Sequence, residues 1–455
     1  MNMAEKSEPC CFTHVIKRNG TRVAFTPQRI TNAIYRAAVA VEGRDRATAE
    51  NLTGKVIAHL EKILPEGQTP HIEQIQDAVE KILIENGHAK VAKAYILYRN
   101  ERARMRRNRE EQSIQPSGNI PWAKIWQVLD WAVSHNLHTI QSYNDRLKNG
   151  ELHQITTESE MFYEEDIKEA AAGIRQRGDQ VKIVLISGPS SSGKTTTTIK
   201  LGKLLEQMRV RLVVLNVDNY FFDLDKHPKD EFGDYDYETP QALEIPLINE
   251  HLRRLIGGEE VMIPFYDFKT GRRFDDRNPM HIGEREVILI DSLHGLYPPM
   301  TGGIPDNQKV KIYIEPLLQM KDNTGQYIRW TDIRLMRRML RDASYRAYNP
   351  EDTLTHWHYV RASEVRNIIP NHVNADFIVN SAMPYELSVY KTKLLRDFAE
   401  WKVKYSSDPL RKDAFQRASR VYGVLDQFTE VEGDSFIPGD SVIREFIGGS
   451  TLIYH

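Results

Sequence analysis

The stretch Val181–Thr196, VKIVLISGPSSSGKTT, decides the fold of this chain. Its apolar run predicts a buried strand, and the residues after Gly193 are compatible with a helix. Gly188 to Thr195 follow the spacing G-x-x-x-x-G-K-T, in which the glycines let backbone N–H groups turn toward phosphate oxygens. Lys194 adds a positive charge for the terminal phosphates, the Thr195 hydroxyl is a ligand for Mg²⁺, and the helix dipole favours the same anion. The stretch therefore predicts a loop that binds a nucleoside triphosphate.

The sequence around this loop predicts an α/β fold. Apolar runs indicate strands at Ile183–Ser187, Arg211–Val217, Val287–Ile290, Val310–Ile314 and Phe377–Asn380. Helical patterns separate these strands, which favours a parallel sheet with helices on both faces. The predicted contacts of ATP in the loop are Gly188, Pro189, Ser190, Ser191, Ser192, Gly193, Lys194, Thr195 and Thr196.

Composition narrows the class of protein. The 455 residues carry a formal net charge of −2, so no global basic field indicates a nucleic-acid partner. No apolar run approaches the ~20 residues that span a bilayer, and the first residues lack the apolar core of a signal peptide. The two cysteines, Cys10 and Cys11, are adjacent and suit neither a structural disulfide nor a zinc site. We therefore expect a cytoplasmic protein that binds neither membranes nor nucleic acid.

The amino-terminal part has its own pattern. His14–Phe25 reads as two short strands that meet at Asn19-Gly20, a strong hairpin signal. A helix is expected after Pro27, and further helices at Thr48–Leu64, Pro70–Glu85 and from about Lys90 onward.

This module resembles the ATP-cone, a small regulatory domain that binds ATP or dATP, over residues 12–105. The matching residues are Val15, Lys17, Arg18, Gly20, Phe25, Arg29, Ile30, Ala94, Tyr95, Tyr98 and Arg99. The resemblance implies a second nucleotide site, with Lys17, Arg18 and Arg29 as phosphate contacts, although family members commonly have Lys where Arg29 stands. Because cones often control assembly, it also implies a homo-oligomer. Basic residues at a hairpin tip are otherwise usually only solvated.

In two further segments the sequence indicates no catalytic or binding residue. Residues 106–180 are expected to be a helical linker that begins with Pro/Gly/Ser-rich sequence after an arginine-rich helix end. Residues 396–455 are expected to be a helical segment with a tail. The predicted nucleotide-binding domain lies between them, over 181–395.

Two carboxylates are placed to serve the loop. Asp218 follows the second predicted strand and Asp291 ends the third, at the sheet edge where ligands bind in open α/β folds. Asp218 suits the acceptance of a hydroxyl proton and contact with Mg²⁺, and Asp291 suits the Mg²⁺ shell. A strand-end cap is the alternative for Asp218.

Residues 181–395 resemble the uridine kinase/phosphoribulokinase family of P-loop kinases, and a bacterial uridine-kinase-like subgroup extends the resemblance to the carboxyl terminus. The matching pieces are GPSSSGKTT, VDNYF, YDYETPQALE, IPFYDFKTGRR, HGLYP, DIRLMRRMLRD and REFIGGS. The resemblance implies that Asp218 and Lys194 are catalytic, together with the lid arginines Arg341 and Arg346. It implies substrate contacts from Glu238, Tyr266, Asp267, Arg273, Arg337 and Arg338, and Mg²⁺ contacts from Thr195, Asp218 and Asp291.

Three departures from the uridine-kinase pattern leave the identity of the phosphoryl acceptor undetermined. Uridine kinases usually have Glu-Gly where this chain has Asp291-Ser292, Tyr where Phe221 stands, and His where Gly271 stands. We therefore expect an ATP- and Mg²⁺-dependent kinase of a uridine- or cytidine-like nucleoside. A kinase of another sugar or sugar phosphate, and a nucleotide sensor with a weakened kinase core, remain alternatives.

Overall fold

The computed structural model describes residues 12–16, 22–39, 41, 45–65, 67–96, 120–227, 239–345, 349–408 and 411–453. The chain divides into two compact units. The smaller unit is Met1–Ser117 with Ser407–Lys412, and the larger unit is Gly118–Ser406 with Asp413–His455. Among the described residues, none of the helices has the length and apolar character that crossing a bilayer requires.

The smaller unit packs helices against a short hairpin. Strands β1 (His14–Ile16) and β2 (Arg22–Ala24) pair antiparallel. They are followed by α1 (Pro27–Val39), α2 (Arg46–Ile63), α3 (Ile72–Glu85) and α4 (89–96). One apolar core joins these elements through residues such as Val15, Ile34, Val56, Leu60 and Leu83.

Two of these helices begin at other residues than predicted. Helix α2 begins at Arg46 because Asp45 caps it, accepting the N–H of Thr48 at 3.1 Å. Helix α3 begins after His71, because the carbonyl of Pro70 accepts the N–H of Ile16 at 2.9 Å. The hairpin therefore holds Pro70 outside the helix that the sequence alone assigns it to.

The larger unit is built on a parallel sheet. Its strands are β3 (Ile183–Ser187), β4 (Arg211–Val214), β5 (Val261–Asp267), β6 (Arg272–Met280), β7 (Glu286–Asp291), β8 (Lys309–Glu315) and β9 (Phe377–Asn380). Five of them form the sheet in the order β4-β7-β3-β8-β9, all parallel, and β5 and β6 form a separate antiparallel hairpin. The α/β fold predicted from the sequence is confirmed. The second strand ends at Val214, earlier than predicted, because the chain turns into a 3₁₀ helix at Val217–Tyr220.

Helices cover both faces of the sheet. They are α5 (Trp122–Ser134), α6 (Ile140–Lys148), α7 (Leu152–Arg177), α8 (Lys194–Gln207), α9 (Ile245–Ile256), α10 (Trp330–Tyr345), α11 (Pro350–Asn367), α12 (Glu386–Lys404), α13 (Lys412–Leu425) and α14 (Arg444–Ile447). Val184 and Ile186 of β3 join a core with α7, α8, α10 and α12. Ile183 and Leu185 point into a second core, with α9 and the β5–β6 hairpin. This alternation is the period of two expected of a strand buried on both faces.

The predicted linker contributes to the first of these cores. Ile155, Tyr163, Ile167 and Ile174 of α7 are all buried in it. The hydroxyl of Tyr163 lies 2.7 Å from Thr197 Oγ1 in α8. Helix α7 therefore belongs to the body of the larger unit.

Candidate active site

The phosphate loop joins β3 to α8, and its glycines are required by its geometry. A Cβ atom added to Gly188 would lie 2.2 Å from the carbonyl oxygen of Ile314 in β8. Ser191 and Gly193 have φ angles of +58° and +89°, in the left-handed region that favours glycine. These conformations curl the chain before α8 begins at Lys194. The first N–H groups of α8, which have no partners within the helix, are therefore presented at the loop.

Lys194 lies over this loop. Its Nζ donates to the carbonyl oxygens of Gly188 at 3.0 Å and Pro189 at 3.4 Å. Burial lowers the pKa of Lys194, while the charges of Asp291 and Glu445 oppose that shift. The ammonium is thus held among carboxylates beside the predicted phosphate site.

The two predicted carboxylates meet at the carboxyl edge of the sheet. Asp218 lies in the 3₁₀ helix after β4, where Asn216 Oδ1 accepts its N–H at 3.0 Å. Asp291 ends β7, and its Oδ2 accepts the hydroxyl of Thr198 at 3.2 Å. Burial raises the pKa of both carboxyl groups and the charge of Lys194 lowers it, although one side of Asp218 is open to solvent. The structure therefore brings Lys194, Asp218 and Asp291 within electrostatic reach of one another.

The side chains at this edge of the sheet suit a Mg²⁺ ion that is also coordinated by the phosphates of a nucleotide. In the described part of the chain, no three His, Cys, Asp or Glu side chains are close enough to enclose a metal ion. Mg²⁺ is usually held by one or two carboxylates, water and substrate phosphates, so a closed protein cage is not required. Thr195, Asp218 and Asp291 fit that pattern, and their assignment as Mg²⁺ contacts stays a prediction.

An aromatic cluster joins the segment after Asp218 to the end of β5. It consists of Phe221, His227, Tyr266 and Phe268, with ring centroids 5.0–6.1 Å apart. The N–H of Tyr266 donates to Asn219 Oδ1 at 3.3 Å, which ties β5 to the 3₁₀ helix that carries Asp218. Phe268 is exposed, so the cluster presents an aromatic surface to solvent. Such surfaces suit planar rings.

Two other predicted substrate residues have partners within the protein. Asp267 caps the turn between β5 and β6, accepting the N–H of Lys269 at 2.9 Å and the hydroxyl of Thr270 at 2.9 Å. Arg273 pairs with Glu244 at 2.5 Å and with Asp275 at 2.9 Å. Arg273 would have to exchange a protein partner for a substrate, whereas the carboxylate of Asp267 can accept further hydrogen bonds.

Gly271 in the same turn cannot be replaced at low cost. Its φ is +66°, and an added Cβ would lie 2.8 Å from the Cβ of Leu224. The histidine that uridine kinases usually have there therefore does not fit this turn. The turn therefore departs from the uridine-kinase pattern for a steric reason.

The predicted arginines on α10 have different surroundings. Arg337 is fully buried and its guanidinium meets Glu386 at 2.8 and 3.0 Å, so the structure places it away from any open site. Arg338 Nη1 donates to Ser190 Oγ in the phosphate loop at 3.3 Å. Arg341 contacts Asp342 at 3.3 Å and lies within electrostatic reach of Lys194. Arg338 therefore contacts the loop and Arg341 influences the charge of Lys194, whereas Arg337 stabilises the interior of the larger unit.

Of the remaining predicted residues, the structure describes only Arg29. Arg29 is exposed on α1 in the smaller unit. Lys17, Arg18, Glu238 and Arg346 lie outside the described residues.

Sequence reasoning missed two residues that grip the loop at Ser190. Glu364 Oε1 accepts the N–H of Ser190 at 3.1 Å, and Arg334 Nη1 donates to its carbonyl oxygen at 3.1 Å. Arg334 and Glu364 also form a buried ion pair at 2.6 Å. Glu364 lies in α11, far along the chain from any matched motif, so no sequence signal indicated it. Arg334 lies within DIRLMRRMLRD, in which the resemblance implies roles only for Arg337, Arg338 and Arg341.

A third missed residue is Glu445. Its Oε2 accepts the N–H of Thr196 at 3.0 Å and the hydroxyl of Thr196 at 2.8 Å. We expected no site residue after position 396, yet REFIGGS, the motif that contains Glu445, was a signal that this segment matters.

Comparisons with known proteins agree with the geometry. Residues 13–104 match the model of the ATP cone domain, and residues 183–388 match that of the phosphoribulokinase / uridine kinase family. Uridine-cytidine kinase B of Dictyostelium discoideum is 27% identical over 198 residues, which are 43% of this chain and 73% of that protein. The uridine kinase of Borrelia duttonii is 27% identical over 227 residues, 49% of this chain and 99% of that protein.

A solved structure described as a "Possible Uridine Kinase" from Bacillus stearothermophilus has a TM-score of 0.28 and 17% identity. It covers 33% of this chain and 79% of that one. A similarity at this level carries no argument about the site.

Proposed function

We propose that this chain, which matches the phosphoribulokinase / uridine kinase family over residues 183–388 and the ATP cone domain over residues 13–104, transfers the γ-phosphate of ATP to a hydroxyl group of a nucleoside. The observation that carries this proposal is the meeting of Lys194, Asp218 and Asp291 at the phosphate loop. A loop that only binds a triphosphate has no need of a second carboxylate beside the metal-binding one.

Each residue has a role in phosphoryl transfer, which depends mainly on positioning and on neutralising charge. The N–H groups at the start of α8 and the ammonium of Lys194 hold the phosphates. Asp218 orients the acceptor hydroxyl and takes its proton. Thr195, Asp218 and Asp291 would hold Mg²⁺, which would further neutralise the phosphates. Arg338 and Arg341 add further positive charge for the phosphates.

The aromatic cluster supports a nucleoside as the acceptor. Phe221 follows Asp218 by three residues, and the rings of Tyr266 and Phe268 lie 5.4 and 5.9 Å from its ring. A base that stacks on these rings would bring its ribose close to Asp218. Asp267 and Arg273 at the rim would give hydrogen bonds to the sugar in place of those to Thr270 and Glu244.

A second acceptor class is favoured by the β5–β6 turn. Because the turn excludes a histidine at Gly271, it does not provide the contact that uridine kinases have there. A different sugar or a sugar phosphate would then be the acceptor, with Arg273 as a contact for a second phosphate. The pairing of Arg273 with both Glu244 and Asp275 weighs against this class, since it already neutralises the guanidinium.

The test is a panel of nucleosides, sugars and sugar phosphates offered with Mg-ATP, with ADP and the phosphorylated product measured. A nucleoside 5′-monophosphate is the expected product. Asp218→Asn should lower its rate of formation by roughly 100-fold or more while ATP still binds. Asp225→Asn is the matched control, because Asp225 is an exposed aspartate in the following turn. ADP at background level with every acceptor would instead favour a nucleotide sensor.

The ATP-cone domain extends the proposal to regulation. A second ATP or dATP, bound at the cone through Lys17, Arg18 and Arg29, would control the assembly of a homo-oligomer. This part of the proposal rests on the family match of residues 13–104.

A further inference from the structure

Glu445 makes a specific contact with the first turn of α8. Thr196 is the third residue of that helix, and its N–H and hydroxyl both donate to the same carboxylate oxygen of Glu445. Both residues are buried, with 0% of Thr196 and 8% of Glu445 exposed. A buried pair of hydrogen bonds fixes geometry more firmly than an exposed contact does.

The segment that carries Glu445 is itself held firmly. Arg444 Nη2 donates to the carbonyl oxygens of Asp434 at 2.6 Å and Ile437 at 3.0 Å. Val442 packs so closely on the phosphate loop that a Cβ added to Gly193 would lie 2.5 Å from its Cγ2. Glu445 is therefore presented to Thr196 by packed structure.

We propose that Glu445 is a positioning residue of the phosphate loop, a fixed acceptor that holds the start of α8 in the conformation that binds ATP. The inference rests on the proposed function, because it assumes that this loop holds a triphosphate. Glu445 satisfies the third N–H of α8, so the phosphates are left with the N–H groups of Lys194 and Thr195. Its carboxylate acts as an acceptor, and its charge is not what the loop requires.

Two other side chains from distant parts of the larger unit also bind the backbone of the phosphate loop. Glu364 accepts the N–H of Ser190 at 3.1 Å, and Ser381 Oγ donates to the carbonyl oxygen of Ser192 at 2.5 Å. Together with the bond to Thr196, these contacts hold the beginning, middle and end of the loop. A loop held in its binding conformation loses less entropy when the ligand arrives, which increases affinity.

The test compares Glu445→Gln with Glu445→Ala in the full chain. Glutamine keeps an oxygen that accepts from Thr196, whereas alanine removes the acceptor. We expect Glu445→Ala to weaken ATP binding, measured by calorimetric titration with Mg-ATP, at least about tenfold. Glu445→Gln should stay within about threefold of the wild type. In turnover assays the KM for ATP should rise in the alanine variant more than kcat falls.

Controls separate this role from folding and from the proposed function. Glu432→Gln, at an exposed position of the same segment, should change neither affinity nor KM. If Glu445→Ala does not fold, Thr196→Val removes the hydroxyl donor alone and should weaken ATP binding by a smaller factor. Unchanged ATP affinity in the folded alanine and valine variants would overturn the inference, as would an equal loss in the glutamine and alanine variants. Absence of ATP binding in the wild type would instead overturn the proposed function.

Discussion

Replacing Glu386 by glutamine should destabilise the larger unit strongly, because this carboxylate is the partner of a buried arginine. Glu386 accepts from Arg337 Nε at 2.8 Å and Nη2 at 3.0 Å, from the N–H of Met383 at 3.0 Å and from the hydroxyl of Tyr390 at 2.9 Å. Both side chains of the ion pair are 0% exposed. Glutamine has nearly the same volume, so the substitution removes charge without creating a cavity.

The size of the expected loss in stability follows from the burial of this ion pair. Removing one partner of a buried ion pair leaves the other charge uncompensated and costs about 3–5 kcal/mol. Helix α12 offers a matched control in Glu400, which pairs with Arg396 at 3.0 Å while both side chains are largely exposed. An exposed pair four residues apart on a helix contributes about 0.3–0.5 kcal/mol, so Glu400→Gln should have a tenth of the effect.

Calorimetry and urea titration of the full chain measure this difference. For a unit of this size we expect Glu386→Gln to lower the melting temperature by roughly 5 °C and Glu400→Gln by less than about 1 °C. A loss below about 1 kcal/mol for Glu386→Gln would refute the reasoning. Arg337 would then not depend on Glu386, and its assignment as a substrate contact would regain support.

The other predictions concern pH and the cone. In the proposed mechanism Asp218 must be ionised to accept the hydroxyl proton, and burial raises its pKa, so kcat should fall with decreasing pH through a value above the usual range of aspartate. A pH–rate profile that stays flat down to that usual range would contradict this. Addition of ATP or dATP should shift the sedimentation profile of the full chain, and Lys17→Ala should reduce the shift, whereas Lys62→Ala on α2 should not. Profiles that neither nucleotide alters would remove the proposed control of assembly.

Much of the fold could be predicted from local patterns in the sequence. The apolar runs at Ile183–Ser187 and Phe377–Asn380 coincide with β3 and β9. Strand β3 is buried on both faces, and such strands are almost continuously apolar. The limits of other elements depended on partners elsewhere in the chain. Pro70 is a good first residue for a helix, yet its carbonyl is used by the hairpin. Such tertiary choices are not visible in a local window.

The candidate site was accessible only in part, for a similar reason. The loop, Asp218 and Asp291 follow from strands whose ends meet at one edge of the sheet. The arginines of α10 could be counted from the sequence, but not divided between the loop and the core. Arg337 faces Glu386 while Arg338, its neighbour, reaches Ser190, because successive helical residues point about 100° apart. Glu364 and Glu445 reach the loop only through packing of distant helices.

The bond between Thr196 and Glu445 joins residues that are 249 positions apart. During synthesis of the chain, the phosphate loop is made long before Glu445, which contacts it. A nascent chain that already contains the whole phosphate-binding motif still lacks the acceptor for the third N–H of α8. The nucleotide site is therefore completed late, after the sheet and most of its helices have been made. A growing chain on the ribosome would gain its full affinity for ATP only when residues near position 445 have folded back onto α8.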